Sequence, residues 1–311
     1  MLFLHRFAMP DLGVTGHDPA TLRRDLEYLR RHKYDLMGIG DLIAHLETGA
    51  PFERRSVVFT VDDGYADFAE VAAPIFAAYD CPVTVFLITD FVSGKLWNWF
   101  DRVPWIIDNT KHDSIHIEIA GRPISRRWTD RAGGLAVAEE MVELLKTVPD
   151  EEKEGLIGGL SDRLEVTLPA GVPLRDRAMT WDQVRQCSRG GVTFGPHTVT
   201  HPILSRVDHA RSDREITESW RAVSAQTESA VPVFCYPNGT LRDFSAREKQ
   251  NVARAGMSAA LATIEAPLSS RSIVEGSADR FAIPRYAYPD SRPAFIQIVA
   301  GIESLKARMR H

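Results

Sequence analysis

Short apolar runs rich in β-branched residues alternate along the chain with longer stretches in which apolar residues recur at helical spacing. The apolar runs predict strands at residues 2–5, 56–61, 83–88, 192–195, 231–236, 258–262 and 281–284, with a weaker one at 35–39. The amphipathic stretches predict helices at residues 21–31, 41–46, 213–227 and 245–255, and a capping box at Thr180 and Gln183 predicts the start of another. This alternation favours a mostly parallel sheet, either open or closed into a barrel.

The alternation stops between about residue 97 and residue 179. Within this stretch, helical patterns cover residues 135–148 and 151–164, and residues 115–124 predict a short hairpin with Gly121-Arg122-Pro123 as its turn. No Gly/Ser-rich linker flanks the stretch. We therefore expect one domain over residues 1–311 that carries a mainly helical insertion at about 97–179.

Composition narrows the range of functions. The 311 residues are 44% hydrophobic and 25% charged, which is ordinary for a soluble globular protein that can bury a sizeable core. The net charge is -5 and no long run of Lys or Arg occurs, so we expect no nucleic-acid partner.

Cysteine usage and the first residues bear on the cellular compartment. The three cysteines are an odd number and form no CxxC pair, so a disulfide framework is not expected. The opening residues lack the basic and apolar regions of a signal peptide, and no apolar run has the length of a membrane span. The predicted location is the cytoplasm, and the oligomeric state stays open.

Two adjacent carboxylates carry the sharpest chemical signal. The apolar run at residues 57–61 leads directly into Asp62, Asp63 and Gly64. Two neighbouring Asp residues do not suit a strand interior, because one of them would face the core. At the end of a strand both can turn into a site, and Gly64 permits the sharp exit. A simple strand-to-helix turn with an Asp cap is the alternative.

A pair of histidines gives a second signal. His197 and His201 are four residues apart, a spacing that places both side chains on one side of a helix or a strand. Two surface histidines in a loop are the alternative interpretation. Combined with Asp63, the two imidazoles make three ligands and leave positions open for water and substrate, which is the pattern of a catalytic metal site.

Polar residues follow three further predicted strands, namely His5, the segment 236–239 that begins with Tyr236, and Arg285. Each alone is compatible with a structural role. Together they place polar groups at the carboxyl ends of five strands, where active sites lie in barrels and open α/β sheets.

These residues resemble the polysaccharide deacetylase family, also called the NodB-homology family. Its Thr-Phe-Asp-Asp-Gly motif is similar to residues 60–64, where Val61 replaces Phe, and its His-(Ser/Thr)-x-x-His motif matches residues 197–201. The Tyr-Pro-x-Gly at 236–239 looks like the third motif of members that act on exopolysaccharides, and Leu4-His5-Arg6 resembles the same branch, which carries a His motif at its N-terminus. The resemblance covers nearly the whole chain apart from the insertion.

The resemblance implies a distorted (β/α)7 barrel of the NodB-homology type. It implies that Asp63, His197 and His201 bind one divalent metal ion, zinc first, with Co²⁺, Ni²⁺ or Mn²⁺ as alternatives. The implied partner is an N-acetylated saccharide substrate.

The resemblance also implies catalytic roles. Asp62 would be the general base, His5 the general acid, and the backbone N–H of Tyr236 a donor to the oxyanion. The family's usual third motif begins with an Arg that pairs with the catalytic Asp, and the segment 236–239 has no such Arg. Arg285 is the candidate substitute.

The expected reaction is hydrolysis of the N-acetyl group of an amino sugar in a poly- or oligosaccharide, which releases acetate. A deformylase or amidase with a small or lipid-linked substrate, and a non-catalytic saccharide-binding protein, are the alternatives. A metal phosphoesterase is disfavoured, because such enzymes usually need two metals and the sequence offers ligands for one. Trp97, Trp99 and Trp105 would either stack on sugar rings or pack the insertion.

Overall fold

A computed structural model describes residues 1–268, 272 and 274–302. The chain separates into two compact units. The strand unit comprises Met1–Lys95 together with the described residues from Ala178 onward, and the insertion unit comprises Leu96–Arg177.

Short strands and longer helices make up both units. The strands are Leu2–Leu4 (β1), Asp35–Leu36 (β2), Ser56–Val57 (β3), Phe59–Val61 (β4), Val83–Leu87 (β5), Ser114–Ile119 (β6), Arg122–Arg127 (β7), Thr193–Pro196 (β8), Val233–Cys235 (β9), Ala259–Ala262 (β10), Ile283–Pro284 (β11) and Tyr286–Ala287 (β12). The helices are Pro19–Arg31 (α1), Ile39–Thr48 (α2), Ala73–Ala78 (α3), Thr89–Val92 (α4), Trp99–Asn109 (α5), Arg131–Leu145 (α6), Asp150–Arg163 (α7), Trp181–Arg189 (α8), His209–Gln226 (α9), Ala246–Arg254 (α10) and Arg292–Val299 (α11).

The strand unit contains the parallel α/β architecture that the sequence predicts. One sheet has the strand order β12-β1-β4-β5-β8, a second has the order β11-β10-β9, and β2 pairs with β3. Every pairing in these sheets is parallel. The carboxyl ends of neighbouring strands therefore lie at the same edge of each sheet. The strand predicted at 56–61 is divided at Val58 into β3, which pairs with β2, and β4, which pairs with β1 and β5.

Both faces of the strands are buried. Along β9, Val233 and Cys235 pack in one apolar cluster, whereas Phe234 between them packs in another. Strands covered on both faces read as continuous apolar runs, which explains why the sequence shows no polar alternation here. Gly195 in β8 shows how tight the packing is, since a Cβ there would lie 2.5 Å from the Phe86 ring.

Several helices of the strand unit begin at residues whose side chains cap them. Helix α1 has Asp18 as its N-cap, which accepts hydrogen bonds from the backbone N–H groups of Ala20 and Thr21. Helix α8 begins with the capping box predicted at Thr180 and Gln183. Short α3, α4 and α11 were not predicted from the sequence, because fewer than three helical turns give little periodicity.

The insertion unit consists of the β6–β7 hairpin and helices α5, α6 and α7. The hairpin turn lies at Ala120 and Gly121, both with positive φ, one residue earlier than predicted, because Arg122 already pairs with Ile119. Helix α5 was missed, since it contains Pro104, which cannot donate a helical hydrogen bond. Trp99 is buried in the apolar core of this unit, so it has a packing role.

Among the residues that the structure describes, none of the helices combines the length and the apolar character needed to cross a bilayer.

Candidate active site

Polar side chains follow the carboxyl ends of several parallel strands in the strand unit. His5 follows β1, Asp62 and Asp63 follow β4, His197 follows β8, and Arg285 lies between β11 and β12. These residues are far apart in sequence, and the parallel sheets bring their strand ends to common edges.

The turn after β4 carries two adjacent carboxylates, Asp62 and Asp63. The Asp62 N–H donates to the Leu4 carbonyl at 2.9 Å, which extends the strand pairing by one residue. The chain then passes through the left-handed region, with φ of +74° at Asp63 and +88° at Gly64. Only glycine suits the second position, because a Cβ at Gly64 would lie 2.7 Å from Leu87 Cδ2.

The carboxylate of Asp63 and the two imidazoles form a compact group of possible metal ligands. Asp63 Oδ1 lies 3.5 Å from His197 Nε2 and 3.6 Å from His201 Nε2. One ligand atom from each of the three residues lies within 4.8 Å of the others. Tetrahedral zinc with bonds of about 2.0–2.1 Å separates neighbouring ligand atoms by about 3.4 Å. The donor set and its spacing therefore suit one divalent ion.

His197 is held as a neutral imidazole. Its Nδ1 lies 2.8 Å from the Cys235 carbonyl, so Nδ1–H donates there and the lone pair of Nε2 faces Asp63. Burial lowers the pKa of His197 to about 4, although the charge of Asp62 acts in the opposite direction. A neutral imidazole with one nitrogen bonded to a carbonyl is the usual state of a metal-binding histidine.

A backbone with unusual torsion angles connects the two histidines. We call residues 197–201 the histidine loop. Within it, Thr198 has φ of +69° and His201 has φ of +58°. Branched residues seldom adopt this region, and such conformations concentrate at functional sites because surrounding contacts must enforce them. The Thr198 hydroxyl contributes one such contact, since it accepts a hydrogen bond from the His201 N–H at 3.0 Å.

The second carboxylate, Asp62, is engaged by a buried arginine. Arg285 Nη1 and Nη2 donate to the two oxygens of Asp62 at 2.8 and 2.9 Å. The same guanidinium donates to Thr60 Oγ1 and to Cys235 Sγ, each at 3.0 Å. Burial raises the pKa of Asp62, but the charges of Arg285 and His197 and the hydrogen bonds from Arg285 together outweigh it and hold that pKa well below its usual range. Asp62 is therefore a carboxylate at neutral pH.

An alternative ligand group consists of Asp62, His197 and Cys235. The guanidinium of Arg285 already occupies both oxygens of Asp62 and contacts the sulfur. Burial also raises the pKa of the Cys235 thiol well above its ordinary value, which disfavours the thiolate that metals bind. The geometry therefore favours the group around Asp63.

His5 lies at the end of β1 with an exposed side chain. Its ring contacts the Phe3 ring edge-on, with centroids 5.5 Å apart. The charge of His5 lowers the pKa of both Asp62 and His197, so its imidazole lies within electrostatic reach of the candidate site.

The position of Tyr236 does not suit the role predicted for it. Its backbone N–H donates to the Leu261 carbonyl at 3.2 Å, because the pairing of β9 with β10 continues one residue past β9. Its ring is buried and stacks on Phe244, with centroids 4.1 Å apart, and its hydroxyl donates to the Phe281 carbonyl. The N–H is therefore engaged in the sheet, and we do not retain it as an oxyanion donor.

Two buried carboxylates near the site were not singled out from the sequence. Asp67 accepts hydrogen bonds from Arg6 Nε at 2.7 Å and from the Phe7 N–H at 2.9 Å, which ties the segment after His5 to the segment after the Asp pair. Glu215 on α9 binds the histidine loop. Single acidic residues in helical stretches give no sequence signal, because most of them lie on solvated faces.

Comparison with known structures gives the same fold. The chain is similar to the Streptococcus pyogenes deacetylase PplD in complex with acetate, at 16% identity and a TM-score of 0.60, over 96% of each chain. It is also similar to the BpsB deacetylase domain from Bordetella bronchiseptica, at 15% identity and a TM-score of 0.54, over 92% of this chain and 95% of that one. A de-N-acetylase from Aggregatibacter actinomycetemcomitans matches at 14% identity and a TM-score of 0.57, over 96% and 98%.

A comparison with curated protein sequences finds no match. Comparison with protein families finds the polysaccharide deacetylase family, which matches residues 49–122 and 155–260, more than half of the chain. The matched ranges include the Asp pair after β4 and the histidine loop. The chain belongs to the polysaccharide deacetylase family.

Proposed function

We propose that this polysaccharide deacetylase removes N-acetyl groups from an amino-sugar polymer with one zinc ion held by Asp63, His197 and His201. The observation that carries the proposal is the placement of Asp63 Oδ1 within 3.5 and 3.6 Å of the two histidine Nε2 atoms. Three protein ligands leave a fourth position for water and substrate, as in catalytic zinc sites. Other divalent ions suit the same donor set, so the test below compares several.

A bound ion would polarise the acetamide carbonyl and lower the pKa of the attacking water to about 7. Asp62 would accept the proton of that water as the general base. Its pairing with Arg285 keeps the carboxylate ionised and fixes its orientation through two hydrogen bonds. Arg285 is thus assigned as the positioning residue for the base.

His5 would donate a proton to the departing amine. An unperturbed imidazole has a pKa of about 6.5, so it can both hold and release a proton near neutral pH. The exposed position of His5 at the end of β1 allows a substrate to approach its ring. Asp62 and His5 thus divide the two proton transfers of amide hydrolysis between them.

We further infer that the two larger sheets form one closed barrel. The Val231 N–H donates to the Phe194 carbonyl at 2.8 Å, which links the end of one sheet to the segment entering β9. At the opposite end only Arg285 separates β11 from β12. If β11 and β12 are counted as two halves of one strand, the strands of the two sheets form a closed ring. Arg285 then lies two strands away from Asp62 in that ring, with β1 between them.

The function is tested by acetate release from N-acetylglucosamine oligomers and acetylated exopolysaccharides. The protein is stripped with a chelator and then resupplied with Zn²⁺, Co²⁺, Ni²⁺ or Mn²⁺. We expect release that requires metal and that falls at least about 10²-fold in Asp62→Asn, because general-base catalysis contributes about 10²–10⁴-fold.

The control variant is Asp63→Ala, which should lose both metal binding and activity, whereas Asp62→Asn should retain the metal. Full activity in Asp62→Asn with metal bound would refute the assignment of the base. Metal binding without acetate release from any of these substrates would redirect the test to formylated sugars and small amides, and then to saccharide binding without turnover.

A further inference from the structure

Glu215 accepts three hydrogen bonds from the histidine loop. Its Oε2 accepts from the backbone N–H groups of Val199 and Thr200 at 2.8 and 2.9 Å. Its Oε1 accepts from the Thr200 hydroxyl at 2.6 Å. The side chain lies on α9 and is only 6% exposed, so these bonds form largely out of contact with water.

The residues that Glu215 binds lie between the two histidines. Thr198 and His201, on either side of them, both have positive φ, a conformation that is unfavourable for a residue with a side chain. A conformation of this kind persists only when its surroundings enforce it. The bonds from Glu215 supply that enforcement at the centre of the loop.

The carbonyl groups of the loop are held from the other side by α4. The Thr89 N–H donates to the Thr198 carbonyl at 3.1 Å, and the Asp90 N–H donates to the Val199 carbonyl at 3.0 Å. The loop is thus fixed through its acceptors by the start of α4 and through its donors by Glu215. Because the donors of α4 are backbone N–H groups, only the bonds to Glu215 can be removed by a side-chain substitution.

We propose that Glu215 is a positioning residue that sets the spacing of His197 and His201 and thereby the metal affinity of the site. This inference rests on the proposed metal function. Because a carboxylate offers only acceptors, it can bind two N–H groups and a hydroxyl at once. A glutamine of the same size can keep its oxygen on the two N–H groups, but its NH₂ group can only donate to the Thr200 hydroxyl, and the amide carries no charge. Glu215→Gln should therefore replace charge-assisted bonds with weaker neutral ones and loosen the loop without removing volume.

The experiment measures Co²⁺ binding to the full chain by competition with a chelating indicator, and records the visible absorption spectrum of the bound ion. We expect Glu215→Gln to weaken Co²⁺ binding about 10- to 100-fold, as is typical for residues that orient metal ligands. We also expect its Co²⁺ spectrum to change, because that spectrum reports coordination geometry. A residue that only stabilises the fold would leave the spectrum unaltered.

Glu248 provides a matched control. It is a fully buried carboxylate on α10 that also accepts several hydrogen bonds, from the Ser245 N–H and hydroxyl and from the Ser212 hydroxyl, but it does not contact the histidine loop. Glu248→Gln should lower the melting temperature and leave Co²⁺ affinity and spectrum unchanged. Equal weakening in both glutamine variants would overturn the inference.

Two further variants separate the possible failures. Thr200→Val removes only the hydroxyl bond to Glu215, so it tests the same contact if Glu215→Gln does not fold, and it should weaken Co²⁺ binding by a smaller factor. Asp63→Ala identifies the site itself. If wild type and Asp63→Ala bind Co²⁺ alike, the proposed metal site is wrong. If Asp63→Ala loses Co²⁺ while Glu215→Gln matches wild type, only the role of Glu215 is wrong.

Discussion

At the scale of single residues, the most unusual feature is the ion pair of Arg285 and Asp62, because both of its charges are buried. Both side chains are buried, and the guanidinium makes four hydrogen bonds to Asp62, Thr60 and Cys235. Removing two charges from water is costly, and only near-ideal geometry offsets that cost. The pair therefore gives its carboxylate a defined place and charge more than it adds stability.

The first prediction concerns removal of one partner. Arg285→Met should lower the free energy of unfolding by about 3–5 kcal/mol, because it leaves a buried carboxylate without its counter-charge. Asp62→Asn combined with Arg285→Met should lower it by less than the sum of the single changes, since no charge is then stranded. Urea unfolding followed by circular dichroism measures both. Additive effects would contradict the proposed coupling.

The second prediction concerns pH and a different buried carboxylate. Asp25 on α1 is 1% exposed and accepts a hydrogen bond from the Tyr288 hydroxyl at 2.6 Å. Burial raises the pKa of Asp25, and the opposing effects of the Tyr288 bond and of Arg292 and Arg24 do not cancel it. The folded state therefore binds this proton more tightly than the unfolded chain does.

Such a group favours folding increasingly as the pH falls through its raised folded-state pKa, until the ordinary value of about 3.9 is passed. Wild type should therefore gain stability relative to Asp25→Asn as the pH is lowered from 7 to 4. Unfolding free energies measured across this range give the difference. A difference that does not vary with pH would refute the shift. Tyr288→Phe, which removes a bond that lowers the pKa, should steepen the dependence.

At the scale of elements, the turn after β4 shows how sequence and structure are linked. The sequence indicated this turn because an apolar run ends in two carboxylates and a glycine. The structure adds the reason for the glycine, which is a left-handed φ combined with close contact to Leu87. By contrast, α5 could not be predicted, because its Pro104 reads as a helix breaker.

The third prediction compares two glycines with left-handed φ. Gly94→Ala should cost about 1–2 kcal/mol, because its φ is +71° and a Cβ there meets no atom within 4 Å. Gly64→Ala should cost about 1–3 kcal/mol more, since its Cβ would overlap Leu87. Gly64→Ala should also weaken metal binding through its neighbour Asp63. Equal losses of stability in the two variants would show that the Leu87 contact is unimportant.

At the scale of the whole chain, the apolar pattern predicted the parallel α/β architecture, since strands buried on both faces are conspicuous in sequence. The sequence motifs also predicted that Asp63, His197 and His201 form one group of metal ligands. The sheet partner of the Tyr236 N–H was not predictable, because strand pairing past a strand end depends on register. Glu215 was equally hidden, since its role depends on how α9 packs on the histidine loop.

The fourth prediction follows from linkage between metal binding and folding. A ligand that binds only the folded state adds about 2.7 kcal/mol at a concentration 100 times its dissociation constant. Calorimetry should therefore show a lower melting temperature for wild type after chelation, and recovery with Zn²⁺. Asp63→Ala should melt at one temperature under all these conditions. Identical shifts in both proteins would place the stabilising ion elsewhere.

The separation of Asp62 and Arg285 along the chain has a consequence for biosynthesis. The two residues are 223 positions apart. At a translation rate of about 5–20 residues per second, the carboxylate emerges from the ribosome at least about 11 seconds before its counter-charge. During that interval the residues of β1, β4 and β5 have been made, but burying their polar end would leave the charge of Asp62 unpaired. We therefore expect this end of the sheet to become buried only after Arg285 has been made.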